Sequence, residues 1–481
     1  MHACVGVCPN KLSSIFTEQQ KNVKKIRGYP SPPSFALLNN FIDYQNKDQQ
    51  LIIHRPPECV GSPVRFYHKV FNQFLDDYHN EELDIRKDHY KWTSEFIYEM
   101  ARIYQSEPER QKIFNEKIRE LFNEELANIS LDDKSSNDGV LESIVHSRKV
   151  LRLLVEMKNE IGTGGCDPTA QAAVSFAKYY TQDKKEAMLK LCNCPCFIIG
   201  LAGPWICILG AVYVEKPIVE PLTHFIPLIP TNDPPHRELI ARLFKALRLG
   251  VDRLDDFYKS LEVFEVSIVN SQRFFPYPNL YKQGVTTVKF TYDEKLKDQG
   301  KLLWKAETES GNKIILKFTC NYNQKAHELC SKIGRAPKLF YVSKEEVYGF
   351  YMVVMEYIEA VSLFECNSLR HEDYKTVLED VEKTIKTLHK EKIVFADLRD
   401  TNILAVRSQE GQYHGMLVDF DWAGQEQSGC YPPFMNQEIS WPPGAEDKQK
   451  LSWKHDEYWL NFWKSKYLKY GGQLISLVQH E

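Results

Sequence analysis

Two short segments, FADLRDTNIL (Phe395–Leu404) and LVDFDWAG (Leu417–Gly424), constrain this chain more than any other part of its sequence. Each sets acidic or amide side chains where an apolar run stops: Asp397 and Asn402 in the first, Asp419 in the second. Between them ILAV and GMLV read as short strands on either side of the turn-rich VRSQEGQYH, so a hairpin is expected to return Asp419 beside Asn402. In-line phosphoryl transfer from a nucleotide to a hydroxyl needs one group to orient the hydroxyl and others to hold Mg²⁺ against the phosphates. Asp397 takes the first role on this reading, and Asn402 and Asp419 the second. A surface loop rich in Asp and Asn is the plain alternative for either segment alone, and the ordered agreement of several motifs argues against it.

The spacing of Leu388-His389, Ile393-Val394, Asp397-Leu398 and Asn402-Ile403-Leu404 resembles the protein-kinase catalytic loop, LHxxxIVHRDLxxxNIL, with Phe395 and Ala396 in place of its His and Arg. The resemblance extends upstream. GNKIILKFT puts Lys317 in the position of the lysine that grips the nucleotide phosphates, and the helix begun by AHELC offers Glu328 as its partner. Taken alone, Lys317 also reads as a solvated strand lysine. YMVVMEYIEAVSL resembles the strand and hinge lining an adenine pocket, with Glu356 and Ile358 supplying backbone contacts, and His455-Asp456 resembles the buried Asp that braces the catalytic loop. The resemblance implies a bilobal protein-kinase-like domain over 275–481, ATP and Mg²⁺ as cofactors, and a protein or another hydroxyl compound as acceptor. The pattern also departs from regulated kinases. FTYDEKLKDQGKLLWKAETES contains Gly300 but no GxGxxG to cover the phosphates, Asp419-Phe420-Asp421 stands at the DFG position, and YPPFMNQEISWPPGA replaces an APE-like segment. These features resemble a compact kinase-like group of fungal and effector proteins with HGDLR and DFDWAG motifs. A nucleotide-binding pseudokinase is the alternative.

A second candidate site lies in VLRLLVEMKNEIGTGGCDPTAQAAVSFAKYY. Leu153 to Val155 read as a buried strand, after which Glu156, Lys158 and Glu160 alternate onto one face. Asp167 can cap a helix that begins at Pro168 and carries Gln171 inward. An exposed strand with a Glu and Lys on one face is the plain alternative. A Glu-x-Lys strand followed by a helix resembles the core of the restriction-endonuclease-like PD-(D/E)xK nucleases. The continuation CPCFIIGLAGPWICILGAVYVEKPIVEPLT is similar to the nuclease-like domain that precedes this compact kinase in Crinkler-type effectors and related fungal proteins. The resemblance implies two acids holding Mg²⁺ on a scissile phosphate, with a lysine orienting the attacking water. Glu156 and Lys158 fill two of these places, and Asp138 is the candidate for the second acid, with Asp132 and Asp133 as competitors. Glu120 or Glu124 could reach the site from a helix, although a core-edge charge is the simpler reading. DNA is the partner implied, and an effector or toxin acting in a host cell is the role implied. MHACVGVCPNKLSSIFTEQQ does not match a Crinkler header.

Composition limits what surrounds these motifs. At 481 residues, with 43% hydrophobic and 26% charged residues, the chain has room for two or three soluble domains. The expected fold class is multidomain α+β and α/β: a loose lead-in over 1–90 with strand content near Gln50–His54, a restriction-endonuclease-like mixed sheet with helices over 91–270, then the kinase-like domain. FFPYPNLYKQG marks the boundary. A net charge of −4 supplies no global field for nucleic acid or membrane. The 12 cysteines are scattered, and Cys192, Cys194 and Cys196 lack a second ligand pair for zinc, so structural thiols in a reducing compartment, cytoplasm or nucleus, are expected. MHACVGVCPNKL has too short an apolar run for a secretory signal, and KNVKKIR reads as a solvated face rather than an import patch. Phe197 to Val214 carries no charge, but Gly203-Pro204 near its centre points to two buried strands and a turn, not a membrane span.

Overall fold

The structure is a computed structural model that describes residues 9–261, 270–296, 301–366 and 369–469. The segment MHACVGVC, Gly300 with its turn, and the end of the helix expected through Phe264 lie outside the described residues. The chain divides into two compact units, Met1–Pro278 and Asn279–Glu481.

A mixed sheet is the centre of the first unit. Gly139–Val145 pairs antiparallel with Arg148–Lys158, which runs parallel to Cys196–Ala202, and Trp205–Tyr213 and Pro217–Pro221 continue antiparallel. Parallel neighbours cannot be joined by a tight turn, and the helix Pro168–Thr181 makes the crossover between them. Each residue of Cys196–Ala202 is buried, which accounts for the uncharged run read from the sequence. The turn that follows holds Gly203 at φ 57°, where a Cβ would stand 2.3 Å from the Glu160 carboxylate. No described helix is long and apolar enough to cross a membrane.

Residues 9–90 are more ordered than a loose lead-in. Helices occupy Pro9–Arg27, Leu38–Lys47 and Lys69–His79, and Ile26, Phe35 and Phe71 are fully buried. They are tied to the crossover helix: Lys178 Nζ donates to Tyr29 O at 2.7 Å and Arg27 Nε to Thr181 O at 2.9 Å. Strand content near Gln50–His54 reduces to one bridge, Ile52 beside Ile218. A few apolar anchors among long polar side chains give too weak a periodic signal to be read locally.

In the second unit a six-stranded antiparallel sheet has the order Leu339–Val347, Phe350–Glu356, Lys313–Thr319, Leu302–Thr308, Thr286–Lys295, Leu280–Gln283. Period-two alternation puts Ile314, Leu316 and Phe318 on its buried face. A mainly helical half follows. The helix His371–Lys390 buries Val377, Val381, Ile385 and Leu388 at helical spacing against the hairpin Ile403–Arg407 and Tyr413–Leu417, and Trp453–Lys464 closes the core.

The helix Pro234–Ser260 lies close against the first unit's sheet because Gly250 has no side chain: a Cβ there would stand 2.7 Å from the Phe197 ring. Gly250→Ala is expected to cost about 1–3 kcal/mol by overpacking, read as a lower urea midpoint for the first unit; an unchanged midpoint would mean that this contact does not bear on stability.

Candidate active sites

The loop after Val394 is hung from one buried acid. Asp456, on the helix Trp453–Lys464, accepts from Phe395 N and Ala396 N at 2.9 Å each and meets His389 Nε2 at 2.9 Å. Donors on both oxygens offset the loss of water around a fully buried carboxylate. They also hold Ala396 at φ 72°, a left-handed conformation that costs a non-glycine residue roughly 1–3 kcal/mol. Phe395, where the kinase pattern has His, packs edge-on to Phe420 with ring centroids 5.4 Å apart. Trp463 Nε1 donates to Leu398 O at 2.6 Å and fixes the loop from its other side.

Asp397 is buried and held by a two-pronged contact from Arg399, Nε to Oδ1 at 2.5 Å and Nη2 to Oδ2 at 2.6 Å. Asn402 Nδ2 donates to Asp397 Oδ2 at 2.9 Å and to Asp397 O at 3.0 Å. The amide nitrogen of Asn402 is thus committed, while Asn402 Oδ1 is buried without a hydrogen-bond partner. Ile403 pairs with Leu417 across the hairpin, Val418 N donates to Asn402 O at 3.0 Å, and Asp419 follows at φ 70°.

Lys317 Nζ stands 2.5 Å from both Asp419 Oδ1 and Asp421 Oδ1, and Lys301 Nζ is 3.1 Å from Asp419 Oδ2. Burial opposes the charge on Asp419, but Lys317 and Lys301 outweigh it and hold the carboxyl well below the usual carboxylate range. Burial and then the neighbouring Asp419 push Asp421 up to about 6. Burial likewise works against Lys317, yet the two acids raise its pKa. The orphaned oxygen of Asn402 and the ionised Asp419 are hard oxygen donors of the kind Mg²⁺ takes, so these residues fit that ion.

Glu328 does not partner Lys317. It is exposed on the helix Gln324–Lys332 and accepts from Gln324 Nε2 at 2.7 Å, because helical phase turns Ala326 and His327 inward instead. Glu356 donates its N–H to Lys338 O at 2.9 Å, and its exposed carboxylate accepts from Lys338 N at 3.2 Å; Ile358, two residues on, is half-buried. Sequence reading gave no role to Asp421, Lys301 or Arg399. For Asp421 a signal existed: an acid replaces glycine two residues after Asp419.

In the first unit, Asp138, Glu156 and Lys158 gather at one end of the central strands. Met157 N donates to Asp138 Oδ2 at 2.7 Å. Glu156 is fully buried and accepts from Gln171 Nε2 and Ser175 Oγ at 2.5 Å each, so the crossover helix does carry Gln171 inward, and Asp167 caps that helix through Thr169 N at 2.8 Å. Burial, then Asp138, pushes Glu156 up to about 8, while burial pushes Asp138 up to about 6. Lys158 Nζ is 3.7 Å from Glu107 Oε1, at the start of the helix Glu107–Phe122. Glu107 is the acid nearest this cluster that the sequence reading passed over; nothing local links it to a strand some fifty residues on. The other candidates are engaged elsewhere: Asp133 with Lys178 at 2.5 Å, Glu124 with Arg152 at 2.5 Å, Glu120 with Lys117 at 2.9 Å. Glu160, expected on the face of Glu156 and Lys158, lies beyond the strand end at Lys158 and pairs with Arg110 at 2.7 Å. Asp132 is exposed. Among the described residues, no group of three His, Cys, Asp or Glu side chains is arranged to hold a metal ion.

Cys192 and Cys194 are buried before the strand that Cys196 opens, with sulfurs 3.9 Å apart.

Comparison with known proteins gives the following. The protein kinase domain family model matches residues 328–439, a segment that starts after Lys317 and contains the loop, the hairpin and Asp419. No curated protein matches. Among solved structures, the chain is similar to the kinase of Cydia pomonella granulovirus at 15% identity and a TM-score of 0.31, covering 37% of this chain and 68% of that one. The carboxyl-terminal unit of this chain contains a protein-kinase-like domain.

Proposed function

We propose that the carboxyl-terminal unit is a Mg-ATP-dependent phosphotransferase with a protein or another hydroxyl compound as acceptor. The observation that carries this reading is the buried, unpartnered Asn402 Oδ1, set beside Asp397 by two hydrogen bonds and beside Asp419 by the hairpin. Asp397 orients the acceptor hydroxyl, and the Arg399 fork holds it in place. Lys317 brings positive charge to the nucleotide phosphates, and Asn402 with Asp419 would hold Mg²⁺, which supplies charge neutralisation at those phosphates. Glu356 and Ile358 line the base from the hinge. A nucleotide-binding protein without turnover is the second reading, favoured by the two lysines that already neutralise Asp419.

For the first unit we propose a Mg-dependent DNA nuclease of the restriction-endonuclease-like kind, with Asp138 and Glu156 toward the metal and Lys158 toward the attacking water. Support comes from the Glu-x-Lys strand and the parallel strand reached through a crossover helix. Binding without cleavage is its alternative, favoured by the hydrogen bonds from Gln171 and Ser175 that already occupy both Glu156 oxygens. The order of the two units, with the DFDWAG motif, supports a Crinkler-type effector or toxin acting in a host cell.

Purified protein is expected to turn over ATP or phosphorylate itself only with Mg²⁺, and Asp397→Asn and Asp419→Ala to lower that rate by about 10²- to 10⁴-fold; equal residual rates in both variants and wild type would reject the assignment. With plasmid or single-stranded DNA and Mg²⁺ or Mn²⁺, nicking is expected that Lys158→Ala removes. If Lys158→Ala nicks as fast as wild type, only a binding role is left for the first unit.

A further inference from the structure

We propose that Asp421 is the positioning carboxylate of Lys317, taking the place of a helix-borne acid; the inference rests on the phosphotransferase reading of this site. Lys317 is only 5% exposed, and a buried ammonium needs a lasting partner. Asp419 cannot be that partner throughout the cycle, because as a metal ligand it must turn to the cation when nucleotide enters. Asp421 has no such second duty. Its Oδ1 lies 2.5 Å from Lys317 Nζ, its Oδ2 accepts from Thr319 Oγ1 at 2.7 Å, and its backbone oxygen accepts from Asn321 Nδ2 at 2.8 Å. Thr319 is two residues beyond Lys317 on the same strand, so both side chains leave one face, and the strand carries its own clamp for the acid.

The helix that would supply the alternative acid is locked in another phase. His327 Nε2 meets Pro337 O at 2.8 Å, and the His327 ring stacks on Phe420 with centroids 4.6 Å apart. Asn323, at its start, donates through Nδ2 to Ala423 O at 2.9 Å. Turning Glu328 inward would break all three contacts. An Asp in place of the glycine at the third position of the motif therefore has a task here: it keeps Lys317 aimed at the phosphates after Asp419 has been given to the metal.

The test is nucleotide affinity measured calorimetrically with a non-hydrolysable ATP analogue, with Mg²⁺ and again in EDTA, alongside KM and kcat for ATP. Asp421→Asn keeps the size of the side chain and its contact with Thr319, so it is the primary variant; Asp421→Glu tests rescue by charge. Loss of a charge-assisted contact predicts about tenfold weaker binding with Mg²⁺, and a KM raised by a similar factor with kcat less affected. In EDTA, where Asp419 stays with Lys317, binding is expected to be unweakened; a merely structural defect would weaken both. Glu328→Gln is expected to behave as wild type. Equal Mg-dependent affinity for Asp421→Asn and wild type, or a loss with Glu328→Gln instead, overturns the positioning role alone. No nucleotide binding by wild type overturns the phosphotransferase reading and this inference with it.

Discussion

A fully buried carboxylate with donors on both of its oxygens, Asp456, holds the carboxyl-terminal site in shape. It takes two consecutive backbone amides out of a loop that has no strand to pair with, and it binds the end of the preceding helix through His389. Without those donors the buried oxygens would be left unpaired, and without Asp456 the left-handed turn at Ala396 would have no anchor. Asp397 and Asn402 inherit their positions from that anchorage, and the hairpin inherits its starting point from Asn402.

The two acidic clusters of the chain show how a neighbouring cation decides what burial does to a carboxyl. Around Asp419, Lys317 and Lys301 lie within direct contact, and ionisation is favoured in spite of burial. Around Glu156, the hydrogen bonds from Gln171 and Ser175 and the charge of Lys158 do not outweigh burial and Asp138, and the proton is retained to about pH 8. At Asp419 the cations in direct contact prevail over burial, and at Glu156 burial and the second acid prevail over Lys158. A divalent cation would find ionised oxygen ready at the first and would have to displace a proton at the second.

Much of the carboxyl-terminal site was legible because its parts are close in sequence. Asp397 and Asn402 share one loop, and Asp419 returns through a short hairpin whose turn residues announce it. Asp167 as a cap and Gln171 on the inward face of its helix were legible for the same reason, since spacing along one helix fixes both. Glu328 was misread because a nine-residue helix gives too little periodicity to set its phase, and the aromatic contact that sets it, His327 on Phe420, comes from far along the chain. The helical lead-in was underestimated because its few apolar anchors acquire meaning only against the crossover helix.

By itself the sequence determined the order of the chemical groups, the strands and turns that carry them, and the charge-free hairpin that the first unit buries. Tertiary structure alone decided which charges meet: Lys317 with Asp421 across 104 residues, Lys158 with Glu107 from a separate helix, Asp456 with the loop 60 residues before it. Local periodicity fixes the face from which a side chain leaves its own element. It carries no information about what another element brings to that face, because that depends on packing between segments far apart in the chain.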